Sequence, residues 1–321
     1  MSKIYEALRQ AEADRTRNGP TQSNTATELA PEPVEMPSFS VTTRATAATP
    51  VRDTAAAPVP VLEPRNAAAD AAIDLSQVPL VEWHPSLLRL PALDESGPAV
   101  EQFRSLRSRM QEFRDLNSLK AILVSSGLPR EGKSFVAANL AVSLARHKSA
   151  RVLLIDGDMR RATLHEMLGT GIAPGLTEYL SGSASIVEVM QRIRPDADGP
   201  KVPAGLTSLT FIPAGKEHAK AADLSGNRRF QQLITAVKPH FDWIVVDSSP
   251  VNLVSDGVNL ARACDAVLLV ARGGVTRFEV AQRATAELKA SKILGFVLNA
   301  VENPPIAGGY YGYDGYDKIE A

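Results

Sequence analysis

Hydrophobic positions are scattered in the first part of the chain and become periodic farther along it. From Val100 onward, Phe103, Leu106, Met110 and Phe113 recur at the spacing of an amphipathic helix. Short, continuously apolar runs follow, and runs of this length are typical of buried strands. Strands are predicted at residues 121–125, 151–156, 208–212, 242–247, 266–271 and 293–298. Helices are predicted between them at residues 134–147, 228–238 and 277–290.

The order of these elements indicates the fold class. Strands that alternate with helices form βαβ units, because two parallel strands need a long crossover between them. We therefore predict one α/β domain at residues 81–303, with a doubly wound and mostly parallel sheet.

Both ends of the chain are predicted to lie outside this domain. Residues 16–80 are rich in Ala, Pro, Thr, Glu and Val and poor in aromatic residues, as in an extended, disordered linker. Residues 1–15 are predicted to form a short helix, which is either frayed and exposed or a docking segment for another protein. Residues 304–321 are predicted to be a flexible tail. It contains four of the six tyrosines of the chain: Tyr310, Tyr311, Tyr313 and Tyr316.

Composition limits the setting in which the protein works. The formal net charge is -1, which gives no general electrostatic reason to bind nucleic acid or an anionic membrane. The single Cys264 cannot form an intrachain disulfide, which fits a reducing compartment. No apolar run approaches the roughly 20 residues that span a bilayer, and the first residues lack the apolar core of a signal peptide. We expect a cytoplasmic protein without a nucleic-acid partner, which another protein could tether to a membrane.

The clearest candidate chemistry lies between a predicted strand and a predicted helix. The segment Gly127-Leu128-Pro129-Arg130-Glu131-Gly132-Lys133-Ser134 fits the pattern Gly-x-x-x-x-Gly-Lys-Ser. In this spacing, backbone N–H groups wrap phosphate oxygens, Lys133 reaches the outer phosphates and Ser134 meets magnesium. The helix that follows adds its N-terminal dipole to anion binding. The alternative, an ordinary glycine-rich turn, is disfavoured by the strand–loop–helix order, so we predict a P-loop NTPase fold.

Carboxylates at strand ends form a second group. Asp247 closes an apolar predicted strand, where P-loop proteins place a carboxylate that holds magnesium through water; a solvated Asp is the alternative. Asp156 and Asp158 also follow a predicted strand and lie close in sequence to Arg160 and Arg161. Two carboxylates and two guanidiniums at this spacing suggest a metal and phosphate site.

Together these features resemble the bacterial tyrosine kinases of capsule and exopolysaccharide synthesis, a branch of the P-loop ATPases related to MinD and ParA. The resemblance covers residues 100–321. It rests on the phosphate loop, Asp-x-Asp-x-Arg at residues 156–160, Asp247, Glu101-x-x-Arg104-x-x-Arg107 and the tyrosine-rich tail. The family usually has Gly where this chain has Arg130, and its Asp-Thr-Pro-Pro is here Asp-Ser-Ser-Pro from residue 247. Neither difference removes a catalytic side chain. Arg130, however, replaces a conformationally permissive residue in a tight loop, so it affects the geometry of the loop.

The resemblance implies an ATP-dependent protein-tyrosine kinase that uses ATP and Mg²⁺. The residues it assigns to the nucleotide are Gly127, Arg130, Glu131, Gly132, Lys133, Ser134, Phe135 and Asn299. For Asn299, an adenine contact and a structural strand cap remain open. The residues it assigns to the metal are Ser134, Asp156 and Asp247. The residues it assigns to catalysis are Lys133, Asp156, Asp158 and Asp247, with Asp156 or Asp158 helping to remove the tyrosine proton. A base is needed because free tyrosine has a pKa of about 10.

The resemblance also implies partners. Tyr310, Tyr311, Tyr313 and Tyr316 would be phosphoacceptors in trans. Glu101, Arg104 and Arg107 would pack subunits into a homo-oligomer, which in the family is a ring; a solvated helix face is the alternative. A transmembrane polysaccharide chain-length protein would hold the kinase at the inner membrane and activate it. The kinase would then regulate polymerisation and export of the polysaccharide.

Two other functions remain open from the sequence. One is a positioning ATPase of the MinD or ParA type, and the other is a weakly active, nucleotide-binding regulator. Positioning ATPases typically have a lysine directly after the first glycine of the loop, where this chain has Leu128. A membrane-targeting ATPase is also expected to end in a basic amphipathic helix rather than in a tyrosine-rich tail.

Overall fold

The computed structural model describes residues 73–302, apart from residues 148–149, 196–202, 204 and 217–220. The predicted helix at residues 1–15, most of the predicted linker and the four tail tyrosines lie outside the described residues. Among the described helices, none combines the length and the apolar character that a bilayer span requires.

An eight-stranded sheet runs through the described part of the chain. Its strands are β1 Leu80–Val81, β2 Ala121–Ser126, β3 Val152–Asp156, β4 Gln191–Ile193, β5 Leu209–Ile212, β6 Trp243–Asp247, β7 Ala266–Arg272 and β8 Ile293–Asn299. Their spatial order is β1-β4-β5-β3-β6-β2-β7-β8. All neighbours pair in parallel except β4 and β5, which are antiparallel. The predicted doubly wound, mostly parallel sheet is confirmed.

Helices connect the strands. They are α1 Pro98–Asn117, α2 Lys133–Ala145, α3 Leu164–Leu168, α4 Leu176–Ser181, α5 Ile186–Val189, α6 Ala221–Ser225, α7 Arg228–Val237, α8 Asp256–Ala261 and α9 Phe278–Glu287. The predicted helices correspond to α1, α2, α7 and α9. The sequence did not predict α3, α4, α5, α6 or α8, which have four to six residues and are too short to show a helical period.

The central strands are apolar up to their carboxyl ends because the sheet is buried on both faces. In β2, Ile122 and Val124 belong to one hydrophobic cluster, which also contains most of the apolar side chains of α2. Ala121 and Leu123 alternate with them and belong to a second cluster, which includes Leu233 of α7. This alternation follows from the two-residue period of a strand. The parallel pairing of β6 with β2 and with β3 brings the carboxyl ends of the three strands side by side.

Packed structure begins before residue 81, where we predicted the domain to start. Ile73 and Val78 are buried in the same cluster as α7, and β1 pairs with β4 at the edge of the sheet. The prediction assigns these residues to the linker because the surrounding composition is rich in alanine and proline. The structure instead packs them into the domain, since each contributes an apolar side chain to its core.

Candidate nucleotide site

The predicted phosphate loop connects the end of β2 to the start of α2. β2 ends at Ser126 and α2 begins at Lys133, so the loop lies at the amino end of a thirteen-residue helix. Gly132 has a φ of 92°, and a Cβ atom there would lie 1.9 Å from Nδ2 of Asn299. Glycine at this position is therefore required both by the backbone and by the available space.

Arg130 also lies in the left-handed region, with a φ of 65°. For a residue with a Cβ atom, this conformation costs about 1–2 kcal/mol. The glycine usual in the family that the sequence resembles would carry no such cost. The arginine side chain is exposed and lines the mouth of the site.

Glu131 is buried and holds the loop from inside. Its Oε2 accepts a hydrogen bond of 2.7 Å from the Leu128 N–H, and its Oε1 accepts one from the Thr276 hydroxyl. The side chain of Asn299 donates from Nδ2 to the Glu131 carbonyl over 3.0 Å. In this structure Glu131 and Asn299 thus shape the loop, and neither lines the cavity beside Lys133. Thr276 was not predicted, because nothing in the sequence near it marks a contact with the loop.

Lys133 and Ser134 meet the strand-end carboxylates. Nζ of Lys133 lies 2.8 Å from Oδ2 of Asp158, 3.9 Å from Oδ2 of Asp247 and 3.1 Å from Oγ of Ser134. Asp156 and Asp247 are paired positions of the adjacent parallel strands β3 and β6. The structure therefore brings the loop and both predicted carboxylate groups to one edge of the sheet.

Asp156 is fully buried and organises the backbone after β3. Its Oδ1 accepts from the Asp158 N–H and its Oδ2 from the Leu164 N–H, each over 3.2 Å. Burial, and then the charge of Asp247, raises the pKa of Asp156 well above its ordinary value. Asp156 does not line the cavity beside Lys133, whereas Asp158 does.

Asp247 is also fully buried, and its carboxylate oxygens are able to accept further bonds. Burial raises the pKa of Asp247 to about 6, although the positive charge of Lys133 offsets part of this effect. The nearby Ser134 hydroxyl and Ser248 N–H also hold the pKa of Asp247 lower than burial alone would. By distance and angle, however, neither carboxylate oxygen has a hydrogen-bond partner among the described residues. Such buried acceptors need a cation or water.

This donor set fits magnesium held on a nucleotide. Within the described part of the chain, no group of three or more His, Cys, Asp and Glu side chains could hold a metal by itself. Mg²⁺ at nucleotide sites takes one or two protein oxygens, and phosphates and water supply the rest. The unpartnered Asp247 carboxylate and the Ser134 hydroxyl are oxygen donors of this kind.

The cavity at the loop has a volume of about 410 Å³ and two kinds of wall. Asp158, Lys133 and Ser134 form its polar side. The remaining lining residues are Pro129, Arg130, Gly132, Phe135, Arg160, Arg161, Thr163, Ser249, Pro250, Leu253 and Val254. Predicted nucleotide residues therefore share this cavity with Arg160 and Arg161, for which the sequence suggested a metal and phosphate site, and with apolar side chains that the sequence did not assign.

The predicted oligomerisation residues of α1 make contacts within their own chain. Arg104 pairs with Glu101 at 2.5 Å and donates to the Glu95 carbonyl over 2.9 Å. Arg107 donates from Nη1 to the Ser143 carbonyl of α2 over 3.0 Å. Arg107 thus joins α1 to α2, and the predicted role of all three side chains between subunits stays a prediction.

Comparison with known proteins decides the family. Residues 122–308 match the model of the CobQ/CobB/MinD/ParA nucleotide binding domain. The chain is 32% identical over 223 residues to the tyrosine-protein kinase CpsD of Streptococcus agalactiae, which covers 68% of this chain and 91% of CpsD. The chain belongs to the bacterial tyrosine-protein kinases. This kinase is also 28% identical over 229 residues to the tyrosine-protein kinase ptk of Acinetobacter johnsonii, covering 71% of its own length but only 30% of ptk.

Solved structures agree with this assignment. The kinase domain of the Escherichia coli tyrosine kinase ETK superposes with a TM-score of 0.61 at 27% identity, covering 74% of this kinase and 92% of that domain. The predicted family, fold class and enzyme class are confirmed, and the P-loop domain is a nucleotide-binding one.

Proposed function

We propose that this kinase transfers the γ-phosphoryl group of ATP to the tail tyrosines of a neighbouring copy, and that this controls capsule or exopolysaccharide polymerisation and export. The observation that carries the proposal is the position of Lys133. Its ammonium lies 2.8 Å from Asp158 and close to the unpartnered Asp247, in a cavity at the amino end of α2. A lysine and a carboxylate that line one cavity at a helix N-terminus, with a second carboxylate buried beside the lysine, are groups that phosphoryl transfer uses.

Binding of ATP would change the partner of Lys133. The loop amides and Lys133 bind the phosphates, and the outer phosphates compete with Asp158 for the ammonium. Ser134 and Asp247 hold Mg²⁺, which when bound neutralises charge on the phosphates. Oδ2 of Asp158 is released as its lysine turns to the nucleotide.

Asp158 is then the better candidate for the base. It lines the cavity, and Asp156 does not. Both oxygens of Asp156 accept backbone N–H groups. In Asp158, Oδ1 accepts from the Arg161 N–H and the Ser249 hydroxyl, but among the described residues Oδ2 is held only by Lys133, which the nucleotide would draw away. The tyrosine oxygen forms a bond to the γ-phosphorus while the bond from that phosphorus to the β–γ bridging oxygen breaks. The phenolic proton passes to Asp158, and ADP leaves. A positioned base typically contributes a rate factor of about 10²–10⁴.

The decisive experiment is incubation of the purified full-length protein with ATP and Mg²⁺, followed by intact-mass measurement and site mapping. We expect phosphate on tail tyrosines in the wild type and none in Lys133→Met. Asp158→Asn should lower the rate about 10²-fold or more while ATP still binds. Asp156→Asn serves as the comparison, and its main effect should be on stability.

Other outcomes would favour other functions. Release of ADP without phosphotyrosine would support a positioning ATPase, and ATP binding without turnover would support a regulator. A slower rate in Asp156→Asn than in Asp158→Asn, with both variants folded, would reverse the assignment of the base.

The proposed assembly involves two kinds of partner. Glu101, Arg104 and Arg107 would contact another copy, which transfer in trans requires. A transmembrane polysaccharide chain-length protein would bring the kinase to the membrane and stimulate it. Fractionation of cells without that protein should release the kinase from the membrane fraction, and unchanged membrane association would contradict this part of the proposal.

A further inference from the structure

One wall of the phosphate cavity carries an exposed leucine on a fixed turn. Residues 250–254 follow β6, and Leu253 is 59% exposed at the cavity. The turn is anchored to the rest of the domain by the two residues that precede this leucine. The Val251 N–H donates to the Ser126 carbonyl over 2.9 Å, and Asn252 donates from Nδ2 to the Val280 carbonyl over 3.0 Å.

This wall has no evident use for the nucleotide phosphates. Pro250 and Val254 line the cavity with Leu253, and all three are apolar. Phosphate groups need donors and cations, whereas an apolar wall beside them suits a flat hydrocarbon ring. A tyrosine ring presents such a surface and carries the hydroxyl that must reach the γ-phosphate.

The opening of the cavity also carries arginine side chains without an acidic partner in the described part of the chain. Arg160 is paired with Asp256 at 2.6 Å, so its charge is already used. Arg130 and Arg161 are exposed at the cavity, and neither guanidinium has an acidic partner among the described residues. An arginine at this position can take a carboxylate next to the tyrosine that enters the site.

The tail of the chain contains tyrosines of two kinds. Tyr313 and Tyr316 are each followed by an aspartate, Asp314 and Asp317. Tyr310 is followed by another tyrosine and Tyr311 by a glycine. One segment thus supplies acceptors with a neighbouring carboxylate and acceptors without one.

We propose that Leu253 and Arg161 form an acceptor subsite that selects a tyrosine followed by an acidic residue, supplied by the tail of a neighbouring copy. The ring packs on Leu253, and the carboxylate of the next residue pairs with Arg161. This inference rests on the proposed function, because it concerns the substrate of the same site. It predicts that Tyr313 and Tyr316 are phosphorylated about two- to fivefold faster than Tyr310 and Tyr311, the size of effect that one partly exposed ion pair supports.

The test separates the kinase copy from the substrate copy. The substrate is full-length Lys133→Met protein, and the kinase copy has all four tail tyrosines replaced with Phe. Site mapping over time gives the rate at each tyrosine of the substrate. Arg161→Gln in the kinase copy, or Asp314→Asn with Asp317→Asn in the substrate, should bring the four rates together. Leu253→Ser should lower all four rates while ADP affinity is retained.

Matched controls show whether these effects are local. Arg262→Gln removes an exposed arginine outside the cavity lining, and Leu88→Ser removes a leucine that is 96% exposed elsewhere. Neither control should change the site preference. A charge exchange, Arg161→Glu with Asp314→Lys and Asp317→Lys, should restore the preference that each change alone removes.

The outcomes distinguish two failures. If the kinase copy without further substitutions phosphorylates no tail tyrosine of the substrate copy, the proposed function itself fails. If it phosphorylates all four at equal rates, or if Arg161→Gln leaves the preference unchanged, the subsite is wrong although the function stands. Equal loss of ADP affinity and of all four rates in Arg161→Gln would assign this arginine to the nucleotide and also overturn the subsite.

Discussion

Gly132 shows how much one backbone position contributes to the site. Two independent constraints meet there, since its φ of 92° disfavours any side chain and Asn299 fills the space beside it. The amide of Asn299 in turn donates to the Glu131 carbonyl. The conformation of the loop and the end of β8 are therefore fixed together.

Replacing Gly132 with Ala should be more damaging than an ordinary change at a left-handed glycine. The backbone cost is about 1–2 kcal/mol, and displacing the Asn299 amide adds about 1 kcal/mol for a lost hydrogen bond. Urea unfolding measures the stability, and calorimetry measures nucleotide affinity, which should also fall. Gly274→Ala is the control, because Gly274 has a φ of 68° but no atom within 4 Å of a new Cβ. Equal losses in the two variants would show that Asn299 imposes no steric constraint.

Asp247 makes stability depend on pH in a defined direction. Its pKa is raised from 3.8 to about 6, so folding favours the protonated form. This contribution to stability is complete below about pH 4 and is lost as pH rises through 6. Without nucleotide and Mg²⁺, Asp247→Asn should therefore be more stable than the wild type by about 3 kcal/mol at pH 7.5 and nearly equal to it at pH 4.

Unfolding curves at several pH values test this expectation. Asp223→Asn, at an exposed aspartate, should leave the pH dependence unchanged. The explanation fails if Asp247→Asn is no more stable than the wild type at pH 7.5, or if its advantage is the same at every pH.

At the scale of elements, α1 and α2 are joined by polar contacts as well as by their apolar faces. Arg107 donates to the Ser143 carbonyl, and the Ser143 hydroxyl donates to the Phe103 carbonyl over 3.2 Å. Arg104 lies on a more exposed part of α1 and pairs with Glu101. The two arginines of one sequence motif therefore differ in what they do within a single copy.

Because the two arginines make different contacts, replacing each one should affect either the stability of the single copy or self-association. Arg107→Ala should cost about 1–2 kcal/mol in the stability of the single copy, because it removes a partly buried hydrogen bond and the packing of the side-chain stem. Arg104→Ala should change that stability by less than about 0.5 kcal/mol and should weaken the proposed oligomer. Thermal unfolding and sedimentation with nucleotide give the two quantities. If Arg104→Ala sediments as the wild type does at every concentration, α1 is not the oligomer interface.

The sequence predicted the elements whose patterns are long and self-contained. β2, β3 and β6 are apolar up to their carboxyl ends because both faces are buried. Their polar last residues mark the edge of the sheet where Lys133 meets the carboxylates. The strand pair β1 and β4 has only two and three residues, so no period could reveal it. The contacts of Glu131 with Thr276 and of Arg107 with Ser143 join residues far apart in sequence. Such contacts depend on tertiary packing, which local patterns do not encode.

At the scale of the whole molecule, the predicted tail connects catalysis to assembly. The tail lies outside the described residues, and its role stays a prediction. Each phosphate would add about -1.5 to -2 to a chain whose formal net charge is -1. Several phosphates on one short acidic segment would repel each other and any acidic docking surface, so phosphorylation should release the tail and loosen the oligomer.

Replacing Tyr310, Tyr311, Tyr313 and Tyr316 with Phe should abolish most phosphotyrosine, leave ATP binding intact and favour the assembled form. Mass spectrometry, calorimetry and sedimentation give these three results. Replacement of Tyr179, a buried core residue, is unsuitable as a control, so Tyr5→Phe is preferable. Full phosphotyrosine in the fourfold variant would exclude the tail as the acceptor. If the size of the oligomer does not change on phosphorylation, phosphorylation of the tail does not control assembly.

The ion pair between Lys133 and Asp158 has a consequence for the end of each catalytic cycle. When Lys133 is not bound to phosphates, its Nζ lies 2.8 Å from Oδ2 of Asp158. Once the γ-phosphoryl group has been transferred, ADP offers fewer phosphate oxygens to compete with Asp158. Return of the lysine to that carboxylate would then help to release ADP, so the contact that holds Lys133 between nucleotides would also favour product departure and turnover.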